Sequence, residues 1–313
     1  MIRTGEGRAP FAAVRAAVLA AVLVLVGCDL PAPTPVRAPA PPVASAESER
    51  LRAYYASVQA RLLSQGLLRT DGGGPDTPFT QRDLVENFDR IALHDEYVVA
   101  GGRFVARKTP SHLRRWERPV RIRIIFGDSV ATAQRQADTR TIADFARRLS
   151  GLTGLDIALA GGEANFFVLV ASLDEQAGAA ADLRAMLPRT PAIVINEIAN
   201  SPRSTFCAAY AMSDPARGRG YVNAVVHIKA EHEGLMRLAC IHEELAQAMG
   251  LANDSPRARP SIFNDDEEFA LLTRHDELLL RILYDRRLRV GMNSAEALPI
   301  VRRIVAELMG GES

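Results

Sequence analysis

The spacing of apolar residues predicts two helices and a hairpin near the start of the folded part of the chain. From 47 to 65, apolar side chains such as Leu51 and Tyr55 recur at helical spacing. Thr80 precedes the segment QRDLVENFDRIAL and is predicted to cap a second helix. The segment EYVVAGGRFVAR then predicts a hairpin that turns at its two glycines. We interpret 46–112 as an N-terminal helical and hairpin subdomain.

The pattern that follows predicts a sheet with helices. Trp116 precedes PVRIRIIFG, in which apolar and basic residues alternate as in a half-buried strand. A helix is predicted from 139 to 150, with Phe145 on its apolar face, and further strands are predicted at DIALA, NFFVLVA, AIVINEI and YVNAVVHIK. A helix carrying Glu243 comes next. The expected fold class for 113–313 is α/β (α+β), with a mixed twisted sheet and a C-terminal helical part.

The N-terminus has the pattern of a lipoprotein signal peptide. Arginines precede an apolar run from Ala16 to Val26, which is short for a membrane span and typical of a secretory signal. The run ends in LVGC, which matches a lipobox and predicts cleavage and lipidation at Cys28. The alternative is an uncleaved anchor with an incidental cysteine. The Pro/Ala-rich segment 29–45 is predicted to be a tether. We therefore expect a lipid anchor in the cell membrane or outer membrane, with the domain 46–313 facing the periplasm.

The composition excludes one class of partner. The chain has 38 Lys and Arg against 37 Asp and Glu, and only 6% of its residues are aromatic. A nucleic-acid-binding protein would be expected to carry a basic surface or stacking aromatic residues. We therefore expect no nucleic-acid partner.

The segment CIHEELAQAMGLAND has the spacing of a metalloprotease helix with different residues at the ligand positions. Such a helix places two zinc ligands at i and i+4 and a general base at i+1. Here these positions hold Glu243, Gln247 and Glu244, respectively. The longer motif continues with a glycine and a third ligand followed by an acidic residue, and the chain has Asn253 and Asp254 at those two last places.

These residues are a poor set of zinc ligands, because zinc prefers imidazole and thiolate, whereas amide oxygens suit harder cations. We therefore expect no metal and no cofactor at Glu243, Gln247 and Asn253. Glu244 remains at the position of a general base if the protein is an enzyme. A plainer interpretation of the pair Glu243 and Glu244 is an exposed acidic helix end.

The histidines offer few replacement ligands. His227 or His232, from the strand and loop before the helix, would be candidates, but a strand histidine more often makes a satisfied hydrogen bond. His242 is expected to pack or to make a surface contact. The adjacent His94, Asp95 and Glu96 either face a cleft or form a solvated strand entrance, and we favour the entrance.

The chain beyond the motif resembles two families. Residues 261–264 stand where metzincins have a tight turn below the metal, and Asp276 and Tyr284 lie on a segment similar to the terminal helix of matrixin-type enzymes. More closely, the chain from about Phe79 onward resembles the bacterial family DUF2927 of envelope lipoproteins, most specifically from Glu243 to Gly291. The resemblance implies a degenerate zincin-like fold and supplies no known activity.

Two cysteines remain after lipidation, Cys207 and Cys240. An exported chain meets an oxidising compartment, which favours a disulfide between them, and the alternative is two separate buried thiols. A bridge would contribute on the order of 3 kcal/mol in the loop-entropy model.

Two functions follow as hypotheses. The first is a membrane-anchored lipoprotein whose groove binds a peptide, a glycan, an envelope protein or peptidoglycan without catalysis. The second is a hydrolase acting on peptides or cell-wall stems, with Glu244 as general base.

Overall fold

Helices contain more residues of the described chain than strands do. The structure is a computed structural model, and it describes residues 43–214 and 218–310. The predicted signal peptide 1–28, Cys28 and most of the predicted tether 29–45 lie outside these residues. The eight helices are α1 (Ala46–Ser64), α2 (Gln81–Ala92), α3 (Thr132–Thr153), α4 (Gln176–Met186), α5 (Ala192–Ala199), α6 (Gly234–Gln247), α7 (Arg274–Leu283) and α8 (Ser294–Leu308).

Seven strands form two sheets. They are β1 (His94–Ala100), β2 (Arg103–Pro110), β3 (Val120–Phe126), β4 (Ile157–Leu159), β5 (Phe166–Ala171), β6 (Cys207–Ser213) and β7 (Tyr221–Lys229). The strands β1 and β2 form an antiparallel hairpin, and the other five form a mixed sheet in the order β4-β3-β5-β7-β6. The pairs β3–β4, β3–β5 and β5–β7 are parallel, whereas β6 runs antiparallel to β7 at one edge. The predicted α/β class with a mixed sheet is confirmed.

The main sheet is covered on both faces, as expected for strands with continuous apolar runs. On β5, Phe166 and Val168 point into the larger core, which α2, α3, α6, α7 and α8 complete. Phe167 and Leu169 point to the opposite face and pack with apolar residues of α4 and α5. A third cluster joins α1 to α6. The site helix α6 is therefore held between the sheet, α1 and the C-terminal helices.

Local sequence signals account for several element boundaries. Thr80 caps α2 in a reciprocal capping box with Asp83, as predicted for this threonine. The glycine pair between β1 and β2 has positive φ at both positions, which confirms the predicted hairpin. The segment interpreted as an N-terminal subdomain, 46–112, contributes Leu84 and Phe88 to the same core as the sheet.

One predicted strand is wrong. AIVINEI is the helix α5, which begins after Pro191 and buries Val194, Ile195 and Ile198. A short apolar run has no period that separates a buried strand from a buried helix. Among the described residues, none of the helices has the length and apolar character needed to cross a membrane.

Candidate functional site

The end of helix α6 is fixed by a glycine. The helix stops at Gln247, and three residues later Gly250 adopts φ +122°, a conformation that side chains with a Cβ rarely take. A Cβ at Gly250 would collide with the carbonyl oxygen of Arg114 and would lie 2.9 Å from a methyl group of Leu283. This tight approach turns the chain back, so that Asp254 returns to the face of α6 that bears Gln247. The two side chains are hydrogen-bonded there, since Gln247 Nε2 donates to Asp254 Oδ1 at 3.2 Å.

A cleft of about 430 Å³ lies along this face of α6. Strand β6 forms one wall, the β1–β2 hairpin contributes Tyr97 and Phe104, and the loop after Gly250 closes the end. Carboxylates dominate the polar lining. They are Glu96, Glu197, Glu243, Glu244, Asp254, Asp265 and Glu267. Within the described chain, no lysine, arginine or histidine lines this cleft.

Burial raises the pKa values of several of these carboxyl groups. Desolvation is the largest cause, followed by the neighbouring carboxylates, and together they hold the pKa values of Glu243 and Glu244 well above the ordinary glutamate range. The same causes raise the pKa of Asp254 to about 7, against a lowering contribution from its bond to Gln247. Burial also raises the pKa of Glu96. The cleft therefore retains protons near neutral pH unless a cation enters.

Glu244 is the most constrained member of the group. Its side chain is on the cleft wall, only 5% of the residue is exposed, and its Oε2 atom has no hydrogen-bond donor among the described residues. Buried polar atoms are nearly always paired, so an unpaired one in a cleft indicates a position that a ligand would satisfy. The interpretation of this pair as an exposed acidic helix end is wrong for Glu244.

The structure brings together most of the predicted positions and excludes one. Glu243, Glu244, Gln247 and Asp254 all line the cleft. Asn253 is 1% exposed and does not face it, because its Nδ2 donates to the carbonyl oxygen of Arg90 at 2.6 Å. Its amide instead joins the loop to α2, and of the two adjacent motif positions, Asn253 and Asp254, it is Asp254 that lines the cleft.

The zinc centre of a metalloprotease does not fit this arrangement. The third position, Asn253, points away, and the amide of Gln247 is engaged with Asp254. What remains of the i and i+4 pair is a single carboxylate, Glu243, which is too little for a tetrahedral zinc site.

Two of the histidines near α6, His232 and His242, have structural roles. His232 stacks on Tyr55, and one of its ring nitrogens lies 3.0 Å from the carbonyl oxygen of Phe206. His242 Nδ1 accepts a hydrogen bond from the backbone N–H of Leu272, and its ring is stacked on another aromatic ring, as expected for a packing role. His227 is 2% exposed on β7 and is absent from the cleft wall.

The triplet 94–96 divides between two roles. A ring nitrogen of His94 lies 2.8 Å from the carbonyl oxygen of Asp89, and Asp95 pairs with Arg114. Glu96 lines the cleft, so the favoured interpretation as a solvated entrance is wrong for this residue. The adjacent polar run was the only sequence signal for Glu96, and none marked Glu197, Asp265 or Glu267.

The two cysteines are bonded across the cleft wall. Cys207 begins β6, Cys240 lies in α6, and their Cα atoms are 5.8 Å apart. The predicted disulfide is thus present, and it fixes the edge strand to the helix that carries Glu243 and Glu244.

The segment that follows the cleft-lining loop is hydrogen-bonded to the end of α6. Asp276 of α7 accepts hydrogen bonds from the Ser261 hydroxyl and, at 3.1 Å, from the backbone N–H of Ile262. The Tyr284 hydroxyl donates to the carbonyl oxygen of Met249 at 2.8 Å. The turn at 261–264 and the helix that follows are therefore tied to the end of α6.

Comparison with known proteins gives one match. The family model described as "Protein of unknown function (DUF2927)" matches residues 81–303. No curated protein matches the chain. No solved structure matches it either.

Proposed function

The chain belongs to the DUF2927 family, and we propose that it binds extended, positively charged peptides in the cleft beside β6 without cleaving them. The observation that carries this proposal is a wall of carboxylates along an edge strand, with no cationic side chain of the described residues lining the same cleft.

The edge strand supplies the binding mode. Strand β6 pairs with β7 on one side and with no other strand of the described chain. Ala208, Ala209 and Tyr210 of this strand line the cleft, so an extended peptide can add to its free edge by main-chain hydrogen bonds. The small side chains of the two alanines leave room for a peptide backbone.

Charge supplies the selectivity. An ammonium or guanidinium group entering the cleft would satisfy the unpaired oxygen of Glu244 and favour the ionised form of the group. An anionic peptide would add to the repulsion among the carboxylates. Cell-wall peptide stems with a free amino group and envelope proteins with a basic strand share the required chemistry.

The arrangement supports a degenerate zincin-like origin for the cleft. The order of strand, helix, strands and site helix is the one that the metzincin resemblance implies. The antiparallel edge strand runs beside α6, where active relatives place their substrate. We propose that the ligand-position changes at Gln247 and Asn253 converted a catalytic cleft into a binding one.

Peptide binding is tested with purified full-length protein in detergent and a short labelled peptide that contains lysine. Fluorescence anisotropy should show binding that falls by about tenfold or more when the lysine is acetylated, because the charge-assisted bonds are lost. Methylation of alternate backbone nitrogens should also weaken binding, since it blocks the pairing with β6. Equal binding of the acetylated peptide would contradict the proposal.

Matched variants localise the effect. Glu244→Gln should weaken binding of the lysine peptide, whereas Glu163→Gln, on an exposed surface outside this cleft, should not. If both variants bind as tightly as the wild type, the peptide binds elsewhere and the proposal fails.

The anchoring part of the proposal rests on the sequence LVGC. We propose that Cys28 is lipidated and holds the protein at the cell membrane or outer membrane, with the cleft in the periplasm. Mass spectrometry of the mature N-terminus should find a diacylglyceryl cysteine at position 28. An unmodified N-terminus upstream of Cys28 would contradict it, and Cys28→Ser should leave the membrane fraction or remain unprocessed.

One observation favours hydrolysis as a second candidate. Glu244 occupies the general-base position, and its raised pKa in a cleft is typical of groups that transfer protons in catalysis. Mass spectrometry after long incubation with the same peptides distinguishes the two. Cleavage that disappears in Glu244→Gln but persists in Glu163→Gln would establish the hydrolase, and intact peptides would support binding alone.

A further inference from the structure

Three potential ligand atoms converge on one point of the cleft. The sulfur of Cys207 and one carboxylate oxygen each from Glu243 and Glu244 lie within 4.8 Å of one another. Zinc holds sulfur at about 2.3 Å and carboxylate oxygen at about 2.0 to 2.2 Å, so two ligands of one tetrahedral ion lie roughly 3.5 Å apart. Small rotations of these side chains would bring the three atoms to that spacing. This set differs from the i and i+4 positions of the metalloprotease motif, because it draws one ligand from β6.

A second observation points independently to a ligand at this place. Glu244 is 5% exposed, faces the cleft, and leaves Oε2 without a hydrogen-bond donor from the described residues. The carboxylate of Glu243 is likewise surrounded by protein atoms and other carboxylates, with no hydrogen bond to it among the described residues. Two adjacent carboxylates without protein donors are suited to a cation that supplies the missing partner.

The sulfur is unavailable while it is bonded to Cys240. A disulfide sulfur is a weak ligand, whereas a thiolate is among the preferred ligands of zinc. Cys207 lines the cleft and is partly exposed, while Cys240 is 2% exposed in α6. Both cysteines line the cleft, but only the Cys207 sulfur belongs to the group formed with the two glutamates. Reduction would therefore leave the more exposed thiol, that of Cys207, beside Glu243 and Glu244.

We propose that the Cys207–Cys240 disulfide masks a metal site, and that its reduction allows Cys207, Glu243 and Glu244 to bind a divalent cation of the zinc class. Three protein ligands would leave a fourth position open to water or another ligand. In the disulfide-bonded protein the thiolate is missing, so only the two carboxylates would be available to a cation.

The proposed reaction has two steps, reduction of the disulfide and binding of the metal. A phosphine reductant and one water molecule convert the disulfide into two thiols, and the phosphine is oxidised by two electrons to its oxide. The metal then binds the Cys207 sulfur and the two carboxylates, and the thiol proton and any carboxyl protons pass to solvent. A dithiol reductant would do the same by becoming a disulfide itself.

This site does not depend on peptide binding. The metal requires the thiol of Cys207, whereas the proposed peptide site requires only the free edge of β6 and the carboxylates. Absence of peptide binding would leave the metal site intact, and the reverse also holds.

Cobalt(II) alone is a suitable probe, because a thiolate ligand gives it a charge-transfer absorption that carboxylates do not. Full-length wild-type protein should show this absorption after phosphine treatment and lack it before treatment. Equilibrium dialysis should find one added Co²⁺ or Zn²⁺ per reduced chain. Equal metal binding by the oxidised and reduced forms would overturn the masking.

Two single variants form the matched control. Both Cys240→Ser and Cys207→Ser lose the disulfide and keep Cys28, but only Cys240→Ser keeps a thiol beside the glutamates. Cys240→Ser should bind cobalt with the thiolate band and without any reductant, and Cys207→Ser should not. The same band in both variants would show that the thiolate ligand is not specifically Cys207 and would overturn the assignment.

Carboxylate variants test the other two ligands. In the Cys240→Ser background, Glu243→Gln and Glu244→Gln should each weaken cobalt binding by at least about tenfold, since even indirect support of a ligand contributes about 10- to 100-fold. Glu163→Gln, at an exposed position outside the cleft, should leave the affinity unchanged. If a carboxylate variant fails to fold in this background, the same substitution in the phosphine-reduced wild-type chain provides the comparison. Unchanged cobalt affinity in both Glu243→Gln and Glu244→Gln would overturn the proposed ligand set.

Discussion

Two buried carboxylates, Asp276 and Glu244, have opposite surroundings. Asp276 is 0% exposed and accepts hydrogen bonds from the hydroxyls of Ser261 and Thr273 and from the backbone N–H groups of Ile262 and Thr273. Glu244 is 5% exposed and has an oxygen with no donor in the described residues. Burial is therefore shared, and the supply of donors distinguishes a carboxylate that stabilises the fold from one that is suited to a ligand.

The largest change in the free energy of unfolding is expected for substitution of Asp276. Asp276→Ala removes the common acceptor of the turn and the N-terminus of α7, leaving several buried donors unpaired. We expect the free energy of unfolding to fall by about 4 kcal/mol, as measured by urea denaturation. Asp276→Asn retains one acceptor oxygen and should lose less. A loss below about 1 kcal/mol for the alanine variant would show that the network is not what holds this region.

Loss of the disulfide should have the second-largest effect on stability. At the cleft the covalent bond, and not a hydrogen-bond network, holds β6 against α6. Its cysteines are 33 residues apart, and removal of both in Cys207→Ala/Cys240→Ala should lower the free energy of unfolding by about 3 kcal/mol. The reduced wild type is the control and should unfold at a similar urea concentration. A double variant as stable as the oxidised wild type would mean that the wall of the cleft does not need this link.

A smaller change in the free energy of unfolding is expected from pH, because Asp254 titrates differently in the folded and unfolded chains. Its pKa in the folded protein is raised from 3.8 to about 7, so between these values the folded protein keeps a proton that the unfolded chain has lost. The free energy of unfolding should therefore fall as the pH rises through this range. The full shift corresponds to about 4 kcal/mol, and we expect on the order of 2 kcal/mol because neighbouring carboxyl groups share the titration. Urea denaturation at constant ionic strength measures the slope.

Asp254→Asn is the control for this pH dependence. The variant has no group to titrate at this position, so its slope should be flatter than that of the wild type. An unchanged slope would assign the effect to other groups and weaken the contrast between the cleft and the satisfied network.

The smallest effect should have the opposite sign. Glu244→Gln removes a buried acid that lacks donors, so above neutral pH it should raise the free energy of unfolding by about 1 kcal/mol. Glu163→Gln, at an exposed position, should change it by less than about 0.5 kcal/mol. A destabilised Glu244→Gln protein would place Glu244 with Asp276 as a structural residue.

Much of the fold follows from local signals in the sequence. The capping threonine of α2, the paired glycines of the hairpin and the apolar runs of β5 and β7 predicted those elements. Strand β6 was missed because CAAYAMS is rich in alanine, which has low strand propensity, and because an edge strand shows no clear alternation. Its identity depends on pairing with β7, which local pattern does not encode.

The candidate site was only partly predictable. Helical spacing places Glu243 and Gln247 on one face whatever the tertiary structure is. Which of Asn253 and Asp254 would line the cleft was not predictable, because the motif fixes spacing along the chain and not the rotation of the backbone after Gly250. Glu96 comes from a hairpin far away in sequence, and its approach to the cleft is a tertiary effect.

The order of strands in the main sheet has a consequence for how the protein acquires its structure. The parallel pairs join distant segments, as in the pairing of Val168 with Val226, and non-local pairings of this kind form slowly. In contrast, β6 and β7 are neighbours along the chain and pair as a hairpin, with Ser213 opposite Tyr221. We expect this hairpin to nucleate locally and to bring Cys207 towards α6 before the parallel ladder is complete. Oxidation of the cysteines would then mark an early step of folding rather than its end.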